Sequence, residues 1–258
     1  MIQEGRRITE GLGQLELLRT QEVLGRYLPA APSSILDVGG ATGVHASWMA
    51  VRGHNVHVVD LMPHHVEAAS RLGASPGQIT AEVGDARALP LSDDSFDAVL
   101  LFGPLYHLTE RDDRLLAWSE ALRVVRPGGY IFTAAISRFA SLFDGLARDA
   151  LFDPAFRAIV ERDLRDGQHR NPTDSPDWFT TAYFHHPVEL REEAEAAGVE
   201  VVEVIGVEGL AGYLPQLGER WTNPDKKDVI LFSAQAVETE PSLLGLSAHL
   251  IAVTRRSR

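Results

Sequence analysis

Asp37, Asp60 and Asp85 are separated by 23 and 25 residues, each at or near the end of an apolar run, and Asp37 leads into Val38-Gly39-Gly40-Ala41-Thr42-Gly43. Glycine tolerates positive φ and lets main-chain N–H groups approach a ligand, while a following helix points its positive end at the same spot. The two spacings are each the length of one β–α unit, so side chains distant in sequence converge at one sheet edge. Carboxylates are pure acceptors: Asp60 suits the two hydroxyls of a ribose and Asp85 the amino group of an adenine. The glycine loop alone fits any tight strand-to-helix turn, and either acid alone fits a solvated strand end or a helix cap. Their joint placement favours a nucleoside site.

Alternating elements must position these groups. Leu15, Leu18, Val23, Leu24 and Leu28 recur at helical spacing before Pro29, which predicts an amphipathic helix within residues 1–30, outside the sheet. Ser34 to Val38 reads as a buried strand, and further strands follow over Asn55 to Val59, closed by Asp60, and over Gln78 to Val83, with Gly84-Asp85 at its tip. Helices are predicted over Val44 to Arg52 and from Pro63 through Arg71, the latter stopped by Gly73. The apolar run Phe96 to Phe102 is a fourth strand, Glu110 to Arg126 a helix, and Pro127-Gly128-Gly129 a turn into the strand Tyr130 to Ile136. Successive β–α steps of this kind make a parallel, doubly wound sheet, the Rossmann-like α/β class. Residues 137–186 lose the regularity and read as an inserted cap with weak helical stretches. Pro187 to Ala197 is a charged helix, Val199 to Val207 a strand, residues 208–244 a second insertion with a helix from Asp225 to Val237, and Leu246 to Val253 a final strand. One domain over 1–258 accommodates all of this.

Composition narrows the function. The 24 basic and 36 acidic side chains give a formal charge of −12, which opposes a nucleic-acid partner, because phosphate attraction supplies most non-specific affinity. With no cysteine there is no disulfide framework and no thiolate metal site. No apolar run reaches membrane-spanning length and Met1 to Arg7 leads into no signal region, so a cytoplasmic protein without a membrane partner is expected. The pairs His64-His65 and His185-His186 invite a metal reading, but adjacent side chains diverge and no carboxylate is suitably spaced; no metal is expected.

In order along the chain, several segments resemble the class I S-adenosylmethionine-dependent methyltransferases. Ile35-Leu36-Asp37-Val38-Gly39-Gly40-Ala41-Thr42-Gly43 is similar to their first motif, Val58-Val59-Asp60 to their second-strand acid, and Gly84-Asp85-Ala86 to their adenine-site motif. Leu89 to Val99 is similar to the approach into their fourth strand, and Arg123-Val124-Val125-Arg126-Pro127-Gly128-Gly129 to the turn before their fifth. The match is strong over Ser34 to Ile136 and rests on element order alone over Pro187 to Val253. It implies a seven-stranded sheet with the last strand antiparallel and S-adenosyl-L-methionine as cofactor, while the N-terminal helix and the helical cap insertions are not identified by it. By that resemblance Asp60 and Leu61 would hold the ribose, Gly84, Asp85 and Ala86 the adenine, and Gly39, Gly40, Ala41 and Gly43 the amino-acid portion, with Asp37 supporting them from behind. Phe102 and Gly103 would complete the cofactor wall. Ala41 departs from the family pattern, standing where a glycine is usual, and its methyl would hold the loop slightly farther from the cofactor.

Methyl transfer from a sulfonium is an in-line displacement with a neutral leaving group, so positioning does most of it and a base is needed only for a protonated acceptor. Phe102 to Leu108 would lie under the methyl group, with His107 the candidate base and Tyr106 a pocket wall or substrate-orienting group. The alternatives are a histidine bonding a backbone group and a packed tyrosine. His45 is a further candidate for the methionine carboxylate, against a helix-surface histidine, and Arg19 is another if the leading helix closes as a lid. Trp178, Phe179, Tyr183, Phe184, His185, His169 and Arg170 either shape an acceptor site or form a small cap core. Glu189, Glu192, Glu193 and Glu195 read as a solvated helix face.

Three functions compete. The first is methyl transfer to an oxygen or nitrogen of a small-molecule acceptor. A nicotinamide dehydrogenase would share the loop and Asp60, but Gly39 to Val44 does not fit G-x-G-x-x-G. A protein that binds S-adenosylmethionine without methylating, or uses it for other chemistry such as intramolecular cyclisation, shares every cofactor motif. Gly103-Pro104-Leu105-Tyr106 stands where DNA amino-methylases carry Asn/Asp-Pro-Pro-aromatic, which further disfavours a nucleobase acceptor.

Overall fold

The computed structural model describes residues 12–72, 77–173, 175 and 178–258; Gly73, read as a helix stop, lies outside them. The chain divides into two compact units. Of the described residues, those within 24–134, 191–203 and 252–258 make one, and those within 12–23, 135–190 and 204–251 make the other.

In the first unit, strands β1 (Ser34–Val38), β2 (Asn55–Asp60), β3 (Ile79–Val83), β4 (Phe96–Leu101) and β5 (Val125–Ser137, as far as residue 134) lie in the order β3-β2-β1-β4-β5. All are parallel. Ile35, Leu36, Val58, Val59 and Val99 to Leu101 are fully buried, the continuous apolar run expected of strands covered on both faces. The chain runs outward from β1 to β3 and resumes on the other side at β4, so the strand order reverses between β1 and β4. Helix α1 (Leu12–Tyr27, from residue 24) precedes β1; α2 (Val44–Val51) connects β1 to β2, α3 (Pro63–Ser70) β2 to β3, and α4 (Pro104–His107) with α5 (Arg111–Val124) β4 to β5. Gly43, at φ 82, opens α2, and Pro63 occupies the first turn of α3.

Two expectations are corrected here. The helix read as ending at Arg126 stops at Val124, and the Arg-Pro-Gly-Gly segment is a bulge inside β5 rather than a turn before it. Phe96 pairs with Val125 and Ala98 with Tyr130, so residues 126–129 all stand opposite Asp97. Gly128 has φ +81, and an added Cβ would meet nothing closer than Arg258 Cγ at 3.4 Å. Substitution therefore strains the backbone and little else. We expect Gly128→Ala to lower the unfolding free energy by about 1 kcal/mol in urea titration. The second correction concerns Glu193 on α8 (Pro187–Ala196), which is 3% exposed rather than solvated. It accepts from Arg114 Nε at 3.0 Å and Nη2 at 2.6 Å, while Arg114 Nη1 donates to the carbonyls of Leu108 and Thr109. This buried pair clamps the chain just after α4.

In the second unit the cap is not purely helical. It contains α6 (Ala140–Ala147) and α7 (Pro154–Asp166), but also β6 (Gln168–His169) and β7 (Ala182–His185). β7 continues the sheet parallel to the end of β5, Ile136 facing Phe184, and β6 runs antiparallel to β7. The sheet thus has nine strands among the described residues: β1 to β5, β8 (Glu200–Gly206) and β9 (His249–Arg255), joined by these two short ones. β9 pairs with β5 and β8. The residues offered for an acceptor site pack instead on one another: His169 is stacked on Phe184 at 4.6 Å, with Nδ1 on buried Asp163 at 2.9 Å and Nε2 on the Trp178 carbonyl. The second insertion forms α9 (Leu217–Trp221) and α10 (Pro224–Ala236), where Leu15, Ala211, Leu217 and Ile230 make a small core. Among the described residues no helix is long and apolar enough to cross a membrane.

Candidate active site

The carboxyl ends of four strands are level. Val38 is in register with Val59 on one side and Leu101 on the other, and Asp60 with Val83. Backbone bonds continue that register past the strands: Gly39 N donates to Val59 O at 2.7 Å, Phe102 N to Val38 O at 3.1 Å, and Gly84 N to Asp60 O at 3.1 Å. Gly39, Asp60, Gly84 and Phe102 therefore occupy consecutive positions along one sheet edge, at the strand-order reversal where open α/β sheets hold ligands.

The glycines are demanded by protein neighbours. A Cβ on Gly39 (φ +76) would come within 2.7 Å of Pro104 Cδ, one on Gly40 within 2.6 Å of Asp37 Oδ2, and one on Gly103 (φ +137) within 3.3 Å of Gly39 O. The loop after β1 and the segment after β4 are packed backbone on backbone, which brings Gly39, Gly103 and Tyr106 together; the Tyr106 hydroxyl lies 3.8 Å from that same Gly103 position. Ala41 adopts φ 48, a left-handed conformation that costs an L-residue about 1–2 kcal/mol. Its N–H is held by Asp60 Oδ2 at 3.0 Å. The methyl at this position is thus accommodated as backbone strain offset by a charge-assisted bond, and a glycine there would carry no such strain.

Asp60 is 7% exposed and accepts from Ala41 N, from Met62 N at 2.8 Å and from His65 Nδ1 at 3.1 Å. A carboxylate has about four acceptor directions, so one remains, and a second opens if His65 rotates away. Beside it Leu61 is 63% exposed, an apolar face at a strand tip that a flat heterocycle would cover. Asp85 is partly exposed and ion-paired to Arg87, whose guanidinium holds its carboxyl below the usual carboxylate range. Asp37 lies fully buried beneath Gly40, and neither of its oxygens has a hydrogen-bond partner. Burial first, and the negative Asp60 second, push its carboxyl up to about 7.

His107 is exposed at the end of the single turn α4, its ring 4.8 Å from that of Tyr106. His45, on α2, presents its ring edge to Phe102 at 5.2 Å, and burial pushes it down to about 4. In that setting the ring meets a ligand carboxylate as a neutral hydrogen-bonding group, its buried Nδ1 having no protein partner. Arg19 is fully buried in the second unit, donating to the Val207 carbonyl at 3.1 Å and to Glu22 and Glu238. Its guanidinium is committed to the chain itself. Also in the second unit, and not foreseen, Glu16, Glu208 and His249 converge. Glu208 is buried and accepts from Ser247 Oγ, from His249 N and from His249 Nδ1, tying the start of β9 to the loop after β8. These residues are scattered over more than 230 positions and carry no motif, so only the fold unites them.

Residues 36–133, the span that builds this edge, match the family model for a methyltransferase domain. An O-methyltransferase of Aspergillus nomiae, rstn1, is 30% identical over 172 residues, which are 57% of this chain and 74% of that protein. The chain belongs to the S-adenosylmethionine-dependent methyltransferases. It is also 30% identical over 170 residues to the O-methyltransferase resE of Aspergillus sclerotiorum, 57% of this chain, and spans 63% of that relative's length. A methyltransferase of Mesorhizobium loti superposes with a TM-score of 0.64 at 17% identity over 94% of this chain and 100% of its own. The [4+2]-cyclase SpnF superposes with a TM-score of 0.58 at 20% identity, over 94% of this chain and 81% of its own, so methyltransferases share the fold with other chemistry.

The cofactor of the family is S-adenosylmethionine, and the donor set fits it. The level strand tips offer a spare acceptor on Asp60, an exposed aliphatic face at Leu61 and Met62, and a backbone turn at Gly39 to Gly43 that begins a helix.

Proposed function

We propose that the protein transfers a methyl group from S-adenosylmethionine to an oxygen or nitrogen of a small-molecule acceptor. The observation that carries this reading is the register of β1, β2, β3 and β4, which sets the glycine turn, Asp60 and Asp85 along one edge, with Asp60 bonded directly to the turn through Ala41 N. The names of the similar fungal proteins, both O-methyltransferases, support oxygen as the acceptor atom.

When bound, the cofactor supplies an electrophilic methyl on a sulfonium. Asp60 takes the ribose, Asp85 and Ala86 the adenine, and the turn from Gly39 to Gly43 the amino-acid portion. His107 removes the acceptor's proton, and Tyr106 orients the acceptor from the segment packed on Gly39. The buried Arg114–Glu193 pair fixes that segment from below by holding the Leu108 and Thr109 carbonyls. His107→Ala is expected to reduce turnover about a hundredfold, the low end for a general base, with the affinity for S-adenosylhomocysteine unchanged. Undiminished turnover in that variant would return His107 to a structural role.

The wider assignment is tested by offering the protein S-adenosylmethionine and a panel of phenols, alcohols and amines. A methylene-sized mass gain on an acceptor supports it. Cofactor binding without any such gain favours the reading in which the site serves other chemistry, as the shared fold of SpnF allows.

A further inference from the structure

The carboxylate assigned to adenine is already engaged on both oxygens by a cation of the chain itself. Asp85 Oδ1 receives Arg87 N at 2.9 Å and Arg87 Nε at 3.0 Å, and Oδ2 receives Arg87 Nη2 at 2.6 Å and Nε at 3.2 Å. The single Nε–H is shared between the two oxygens, so three donor hydrogens take three of the roughly four acceptor directions a carboxylate has. The exocyclic amine of an adenine is a neutral donor, weaker than a guanidinium, and while Arg87 stays in place it meets a single remaining direction on a carboxylate whose charge the guanidinium already engages. Yet the guanidinium has a second acceptor within reach: Nη1 donates to Asp113 Oδ2 at 3.0 Å, in the first turn of α5. Arg87, Asp85 and Asp113 are each about one-third exposed, so the pairs are open to water and exchange at little cost.

We propose that Arg87 gates the adenine subsite: it competes with the cofactor's exocyclic amine for Asp85, and Asp113 takes the guanidinium when the nucleoside enters. The inference rests on reading Asp85 as the adenine-binding acid. It gives the arginine a role in product exchange, because re-forming the Arg87–Asp85 pair drives the spent nucleoside out. It also inverts the usual effect of removing a cation beside a ligand site.

Calorimetric titration with S-adenosylhomocysteine tests it. Arg87→Ala should bind roughly two- to fivefold more tightly than the parent chain, the scale of an exposed ion pair. Asp113→Asn should bind more weakly by a similar factor, since the guanidinium then has only Asp85. Raising the salt concentration should tighten binding to the parent chain and leave Arg87→Ala unmoved. The gain in Arg87→Ala should vanish for the homocysteine nucleoside that lacks the 6-amino group. Unchanged or weaker binding by Arg87→Ala, with Asp60→Ala still abolishing it, would overturn the gate and leave the nucleoside site standing. A parent chain that binds no S-adenosylhomocysteine would overturn both.

Discussion

Asp60→Ala should weaken S-adenosylhomocysteine binding by two to three orders of magnitude while the chain stays folded. Two losses add. A charge-assisted hydrogen bond to a ribose hydroxyl contributes about 1.5–3 kcal/mol. In addition, Ala41 N loses the acceptor that offsets its left-handed backbone, a strain of about 1–2 kcal/mol, so the glycine turn leaves its bound shape. Each 1.4 kcal/mol is about a factor of ten in affinity. Met62 N also loses its partner, but Met62 is 45% exposed and water replaces it, which is why folding survives. Titration calorimetry reads the affinity and circular dichroism the fold. An affinity equal to the parent's would remove Asp60 from the site, and Asp60→Asn, which keeps one acceptor oxygen, should fall between the two.

What was legible in the sequence follows from which forces are local. β1, β2 and β4 announce themselves because parallel strands buried on both faces need largely apolar runs, and Asp37 and Asp60 stand out against that background, whereas the half-exposed β3 is marked by its β-branched Ile79, Thr80 and Val83. Glycines in the turn after β1 were legible as positions, though for a different reason than ligand approach: Pro104, Phe102 and Asp37 crowd them from within the protein. The bulge at Arg126 to Gly129 was not legible, since Pro-Gly-Gly reads locally as a turn and only the pairing of Phe96 with Val125 reveals otherwise. β7 has four residues, too few to show a period, and it is defined by its neighbour β5. Charge was the least legible feature of all. Glu193 sits in a row of glutamates on a helix, and nothing near it marks Arg114, 79 positions away, as its partner. Arg19 looks like a lid residue until Val207 and Glu238 are brought to it, 188 and 219 positions along the chain.

Asp37 gives the largest effect on stability, and its sign is set by burial. An exposed aspartate titrates at 3.8, whereas in the folded chain Asp37 titrates at about 7, chiefly through burial and then through the charge of Asp60. The folded pKa is therefore the raised one. Between those two pH values the folded chain keeps a proton that the unfolded chain has released, so stability from the neutral buried group is complete below pH 3.8. It drains away as the pH climbs toward 7 and changes no further above that. A separation of about three pH units corresponds to roughly 4 kcal/mol. Asp37→Asn removes the titration with little change of shape, so its unfolding free energy should not follow this decline. The donors of the new amide are buried without partners and lower its stability at every pH, which makes the slope the quantity to compare and not the absolute value. Urea titrations of both chains from pH 4.5 to 8 supply it, because titrating groups that do not interact with Asp37 contribute equally to the two and cancel. Parallel curves would mean that Asp37 is ionised in the folded state throughout, which would require an ordered donor at its oxygens and a different account of why Gly40 rests on them.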